Sequence, residues 1–356
     1  MKQQIGTSST GNLSEAIKGF INPSLIILLS NKDKFKEHVA ELEQLHPGIP
    51  SIGCICTSYS KLSTIENGVT AIAFSGCASV ATNIILELSS TPVKYINRVK
   101  EDITKIKAES ENTICIDFAT GTETGIGHDS RLMTTLGSLL APNHISLIGT
   151  TVAGNVVSCN GVIYEDACAY AFIKNNGKII SYKETIYKPT DLKMVVTKAD
   201  SKNYILYELN GQPAESVYCD YLNTSPDKIY TQSFQNPLGR WVGDEFYIMA
   251  VTNSKNKALQ CFKRINDTDI ISILELDDYK RIVNNTVSEI KKALPNVSGV
   301  FSMNCGYRYA FFQSENYWTN YLKTMDFSNN HAGLIALGEH FNSQHVNQTM
   351  VCIAFE

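Results

Sequence analysis

The segment Gly333–Phe355, GLIALGEHFNSQHVNQTMVCIAF, repeats a pattern met twice earlier in the chain. GCICTSYSKLSTIENGVTAIAF starts at Gly53, and GTTVAGNVVSCNGVIYEDACAYAF starts at Gly149. Each copy is preceded by an apolar run of strand length and then by a stretch of helical period. Before Gly53 these are SLIILLS (Ser24–Ser30) and a face of Phe35, Val39, Leu42 and Leu45. Before Gly149 they are TICIDF (Thr113–Phe118), a glycine-rich loop and DSRLMTTLGSLLA, which Pro142 ends. Before Gly333 they are VSGVFSM, an irregular turn and SENYWTNYLKTM.

A further helix lies upstream of each copy: NLSEAIKGF in the first, Ile96, Val99, Ile103 and Ile106 in the second, and Ile282, Thr286, Ile290 and Ala293 in the third. Thr91 and Pro92 suit the cap and first position of the second of these. The expected unit is helix–strand–helix–strand–strand, at about one hundred residues or fewer. That is longer than the roughly 20–50 residues of a solenoid repeat. Between the second and third copies, Lys178–Leu276 carries short alternating segments rich in aromatic and β-branched residues, the mark of antiparallel sheet.

These patterns predict a mixed α/β (α+β) protein with mixed or antiparallel sheets and outer helices. Two domains are expected, 1–190 with two repeated units and 191–356 with a β-rich segment and the third unit. The 356 residues, 43% apolar, are enough for two cores.

Net charge is −4 and no Lys/Arg run stands out, so nucleic acid is not an expected partner. No stretch of about 18 apolar residues suggests a membrane span, and no apolar leader opens the chain. Ten cysteines without regular spacing read as reduced thiols, and a cytoplasmic location is expected.

Aligned on their first glycine, the copies place Ser58, Gly154 and Gly338 five residues on, and Tyr59, Asn155 and Glu339 six residues on. Asn67, Asn160 and Asn347 are read as opening a final strand. Two readings stay open. In one, glycine bends the chain and asparagine closes a turn. In the other, the turns line one cleft, with Glu339 and Asn155 as polar contacts. Arg308 follows a buried-looking strand and suits bidentate capture of a carboxylate, or a structural ion pair. Cys54 and Cys56 point to one face of a strand and no second pair gives zinc spacing, so no metal site is expected. The loop GTETGIGHDS (Gly121–Ser130) sits where phosphates bind in α/β folds, but matches no phosphate motif; Asp129 suits a helix cap.

In this order, IGCICTSY, IGTTVAGN, LYELNGQPAESVYCDYL, NPLGRWVGDEFYIMAV, GVFSMNCGYRYAFF and ALGEHFNSQHVNQTM resemble the blocks of the FIST family, in its N-terminal and C-terminal parts. Gly338-Glu339, Arg308 and Cys54 match the pattern. Ser58-Tyr59 and Met249-Ala250 depart from it, at places where a carboxylate and an arginine are usual. The resemblance implies a sensory module that binds a small ligand such as an amino acid. It also implies a stand-alone haem-binding nitric-oxide sensor that acts on a separate histidine kinase or other signalling protein. An axial haem ligand would be His340, His128 or His331, with Arg308, Glu339, Asn155, Cys54 and Asn347 as ligand contacts. No catalytic residues are expected. The alternative is a cysteine-dependent enzyme, which needs a thiol beside a histidine.

Overall fold

The structure, a computed structural model, describes residues 1–122 and 129–356, the side chains of residues 129 and 130 excepted. The expectations for the glycine-rich loop, the Asp129 cap and His128 lie outside the described residues.

The first unit runs β1 (Lys2–Ser8), α1 (Leu13–Ile17), β2 (Pro23–Ser30), α2 (Phe35–Leu45), β3 (Ser51–Ile55), β4 (Ser58–Ser60), β5 (Ser63–Ile65) and β6 (Val69–Ser75). The second repeats that order: β7 (Ser79–Leu86), α3 (Ile96–Ile106), β8 (Thr113–Thr120), α4 (Asp129–Leu140), β9 (Ser146–Val152), β10 (Val156–Cys159), β11 (Val162–Glu165) and β12 (Ala167–Lys174). The third starts with β13 (Ile179–Thr185) and is then interrupted. The insertion comprises β14 (Tyr187–Asp200), β15 (Ile205–Leu209), β16 (Gln212–Pro213), α5 (Ala214–Leu222), α6 (Ile229–Gln232), β17 (Leu238–Val242), β18 (Glu245–Met249), β19 (Val251–Lys255), β20 (Ala258–Cys261) and β21 (Ile270–Leu276). The third unit resumes with α7 (Tyr279–Ala293), β22 (Gly299–Cys305), α8 (Gly306–Ser314), α9 (Trp318–Met325), β23 (His331–Ala336), β24 (Gly338–Phe341), β25 (Gln344–Val346) and β26 (Thr349–Phe355).

The mixed α+β class read from the sequence is the class observed. Each unit holds one strand and one hairpin more than the sequence pattern suggested. The irregular turn read before SENYWTNYLKTM is the helix α8. Asn160 does not open a final strand. It sits in the β10–β11 hairpin turn at φ 49°, where Lys61 and Asn342 take the same conformation in the other two hairpins. Thr91 and Pro92 take the expected cap and first positions, but of a short 3-10 helix (Pro92–Tyr95) that precedes α3, and the Thr91 hydroxyl donates to Glu87 instead of capping it. Residue 190 falls within β14, where pairing with β21 is interrupted between Pro189 and Lys193.

The three units interlock. The sheets run β1-β6-β2-β3-β10-β11, β7-β12-β8-β9-β24-β25 and β13-β26-β22-β23-β4-β5. In each, two central strands are parallel, and the last two strands are a hairpin given by another unit. The first unit's hairpin completes the third sheet, the second's completes the first, and the third's completes the second, so the exchange closes in a ring.

The apolar runs are continuous because both faces of these strands are covered. Along β2, Leu25, Ile27 and Leu29 join Ile114, Ile116 and Phe118 of β8 and Phe301 and Met303 of β22 in one inner core. Ile26 and Leu28 face α1 and α2 on the outside. The helices bury most of the expected faces: Leu45 at the end of α2 and Ala293 at the end of α7 are exposed, and His38 within α2 takes a core position. The insertion is a separate eight-stranded sheet with its own core around Val196, Leu206, Leu259 and Ile273, closed by Tyr218 of α5 and Ile229 of α6.

The first glycine of each repeated pattern occupies the same place in its sheet. Gly53 lies between Leu28 and Ser158, Gly149 between Asp117 and His340, and Gly333 between Ser302 and Tyr59. In the second and third sheets the flanking side chains join over the glycine. His340 Nδ1 is 2.7 Å from Asp117 Oδ2, and Tyr59 OH is 2.8 Å from Ser302 Oγ. A Cβ on Gly149 would fall on the Asp117 carboxyl, and one on Gly333 on the Ser302 carbonyl and the Tyr59 ring.

Candidate functional site

All six parallel strands end on one side of the ring. The carboxyl ends of parallel strands are where α/β sheets leave ligand crevices. A cleft of about 1140 Å³ opens there, beneath the inserted sheet. The first unit contributes Lys32, two residues past β2, and Ile55 at the end of β3. The second contributes Thr122, Ala153, Gly154 and Asn155, and the third contributes Tyr307 and Leu337. Asn203, Tyr230, Thr252, Asn253, Gln260 and Phe262 of the insertion form the opposite wall.

Local geometry sets these groups. Gly154, at φ 141°, turns the chain between β9 and β10, a conformation that favours glycine. Its carbonyl accepts from Gly121 N at 3.0 Å, tying the ends of β8 and β9 together and leaving Asn155 exposed at the rim. Gln260 Nε2 donates to the carbonyls of Asn203 (2.9 Å) and Tyr204 (3.2 Å), which fixes that wall. Tyr307 is the centre of an aromatic group, with ring centroids 5.4 Å from Tyr230, 4.8 Å from Phe234 and 5.6 Å from Phe262, all edge-to-face. Burial pushes its phenol above the usual range, so it stays a neutral hydrogen-bonding group.

Among the described residues that line the cleft, Lys32 carries the only formal charge. Lys32, Asn155 and Asn253 make no side-chain hydrogen bond or ion pair among the described residues. Asn203 spends its amide nitrogen on Asp200 at 2.7 Å and keeps its oxygen. The cleft therefore offers one cation, several amides that both donate and accept, and an aromatic wall.

Of the residues singled out from the sequence, Asn155 lies on this cleft. Arg308 does not line it: its neighbour Tyr307 does. Arg308 is fully buried and pairs with Glu184 of β13, not with Glu339. Its Nε donates to Asn304 Oδ1 at 3.1 Å and its guanidinium lies over Phe312, 4.6 Å from the ring centroid. Thr286 holds the other oxygen of Glu184, and Asn304 donates to Tyr59 (2.7 Å) and Tyr321 (2.9 Å). Arg308 thus belongs to a buried chain that ends at the exchanged hairpin.

Glu339 is also buried. Its Oε2 accepts from Thr349 N (3.2 Å) and Oγ1 (2.7 Å), and burial raises its carboxyl to about 7. Asn347 is buried beside it in the chain after β25, its Nδ2 3.4 Å from His345 Nε2. Cys54 lies in the inner core, its sulfur 3.9 Å from that of Cys56.

An axial haem ligand needs a nitrogen that opens on a void of haem size. His340 is spent on the Asp117 clasp. His331 is fully buried with Nε2 2.7 Å from Ser302 Oγ, and burial lowers it to about 3. Neither borders the cleft, and these two histidines do not fit that role in this conformation. All the cysteines but Cys77 are buried, and burial pushes the thiols of Cys54, Cys115, Cys168, Cys305 and Cys352 up, away from the thiolate a nucleophile needs. No group of three or more His, Cys, Asp or Glu among the described residues is arranged to hold a metal.

Lys32, Tyr307 and the amides of the insertion were missed from the sequence. The one available signal was position: each core contributor follows the end of an apolar strand, where α/β folds keep their binding groups.

The fold defines a module of an interlocked α/β ring with a cleft between it and a β-sheet cover. The FIST N domain matches residues 24–212 and the FIST C domain residues 214–342, and the chain belongs to the FIST family, which is associated with sensory signalling and small-ligand binding. An uncharacterised protein of Methanocaldococcus jannaschii is 24% identical over 304 residues, 76% of this chain; the match spans 57% of the length of that relative. Among solved structures, a chorismatase aligns over 99% of this chain and 97% of its own at 8% identity, with a TM-score of 0.40. No helix among the described residues is long and apolar enough to cross a membrane.

Proposed function

We propose that the protein is a sensor whose ligand is a small carboxylate-bearing metabolite of the amino-acid type, held in the cleft at the strand ends. The observation that carries this reading is the cleft's composition. Lys32 is the lone formal charge among its described lining residues, the amides of Asn155, Asn203 and Asn253 share the lining with it, and Tyr230, Tyr307 and Phe262 form an apolar face. A carboxylate on Lys32, an amine on amide oxygens and a side chain on the aromatic wall use all three. Because the ring and the inserted sheet both contact such a ligand, its binding changes how the two are held together. That gives a surface for a separate signalling protein, such as a histidine kinase, to read.

Calorimetric titration with amino acids, hydroxy acids and their uncharged amides tests the reading. A charged hydrogen bond contributes roughly 1.5–3 kcal/mol. Lys32→Gln should therefore weaken a carboxylate ligand about tenfold or more, and the amide should bind weakly to both proteins. A carboxylate ligand that binds Lys32→Gln with unchanged affinity would remove the cleft from consideration.

A further inference from the structure

A second cavity, about 560 Å³, lies on the other side of Phe262. It is formed by Met133, Thr134, Gly137 and Ser138 of α4, by Ser343, Gln344 and His345 at the exchanged hairpin β24–β25, and by the inserted sheet and its connections. Its character differs from that of the cleft. Arg240, Lys263 and Arg264 all line it, and no carboxylate does among the described residues. Of the carboxylates nearby, Asp269 sits 3.5 Å from Arg240 and offsets the charge of that guanidinium, and Glu245 accepts from Tyr247 OH at 3.1 Å. Arg240 also donates to the carbonyl of Arg264 at 3.2 Å, which brings the two arginine segments together. The Arg264 side chain is exposed and makes no hydrogen bond or ion pair among the described residues. Lys183 adds a fourth cation behind the lining, its Nζ 5.8 Å from the centroid of Tyr247, with Lys263 at the same distance from that ring. Positive charge gathered in a concave site, in a chain of net charge −4, attracts a multiply charged anion. The hydroxyl of Ser343 supplies a neutral donor, Ser138 spending its own on the Thr135 carbonyl at 2.9 Å, and Tyr247, Phe262 and Met133 supply apolar lining.

We propose that this cavity binds a small metabolite carrying a doubly charged oxyanion, a phosphomonoester being the simplest case. The site is distinct from the carboxylate cleft, since Lys32 does not line it and Arg264 does not line the cleft. An occupant would touch both the second unit's helix and the inserted sheet, and so would join the ring to its cover.

Titration of phenyl phosphate, glycerol 3-phosphate and inorganic phosphate at constant ionic strength tests it. One saturable site is expected in the wild type. Arg264→Gln should weaken it tenfold or more, and Ser343→Asp, a change at an exposed position, should abolish it by placing a negative charge in the cavity. Lys32→Gln should leave it unchanged. Phenyl phosphate binding more tightly than inorganic phosphate identifies an organic ester as the ligand, and equal binding identifies the free anion. Absence of saturable binding to the wild type at millimolar concentrations overturns the proposal. So does binding indifferent to both Arg264→Gln and Ser343→Asp, or binding lost in Lys32→Gln, which would move the anion to the cleft.

Discussion

Asp117 and His340 hydrogen-bond at 2.7 Å across Gly149, joining the first parallel strand of the second sheet to a hairpin that arrives from the third unit. Ser302 and Tyr59 do the same across Gly333 in the third sheet. A glycine in the strand between is what lets two side chains two strands apart meet. In the first sheet the equivalent neighbours are Leu28 and Ser158, and Ser158 Oγ lies 2.6 Å from where a Gly53 Cβ would be. The repeated glycine therefore serves the hairpin exchange.

Gly149→Ala should be strongly destabilising. The new methyl group would occupy the place of the Asp117 carboxyl and separate it from His340. Overpacking costs about 1–3 kcal/mol, and an unpaired buried polar group about 1–3 kcal/mol more. Urea denaturation should show a lower midpoint with little change in slope. An alanine variant as stable as the wild type would mean the clasp does not hold the hairpin.

Removing one partner of a buried ion pair leaves the other charge unpaired, at a cost of about 3–5 kcal/mol. Arg308→Ala should lose stability on that scale, because Glu184 stays behind with both side chains 0–1% exposed. Glu184→Ala should behave alike, and the double variant should cost less than the sum of the two. If Arg308→Ala unfolds at the wild-type midpoint but fails to bind the cleft ligand, Arg308 acts on ligand after all.

Glu339 sets an alkaline limit. Burial raises its folded-state value from 4.5 to about 7, so the native protein keeps a proton that the unfolded chain has released. Stability from this group is lost as pH rises from about 4.5 through 7, by roughly 3 kcal/mol in all. His331 acts at the other end: burial lowers it from 6.5 to about 3, so stability is lost as pH falls from 6.5 towards 3. Glu339→Gln, which keeps an acceptor for Thr349, should be more stable than the wild type at pH 8 and equal to it near pH 4. Melting curves that stay parallel from pH 4 to pH 8 would show that Glu339 is ionised throughout.

Local pattern settled a good deal. The runs SLIILLS and TICIDF read as apolar segments of strand length, and they are β2 and β8. The three glycine-led copies identified three equivalent units, and the ordered blocks identified the FIST family. The C-x-C spacing put Cys54 and Cys56 on one side of the chain. The rest depended on groups distant in sequence. Glu184 reaches Arg308 from 124 residues away, and Tyr59 reaches Ser302 from 243. Sequence spacing fixes which face of a strand a side chain takes, but not which strand lies beside it. Hairpins that could pair within their own unit pair with another, and only the packed ring decides between those registers. The same holds for Lys32 and Tyr307. Each follows an ordinary strand, and they share a cleft because six strand ends meet where the inserted sheet covers them.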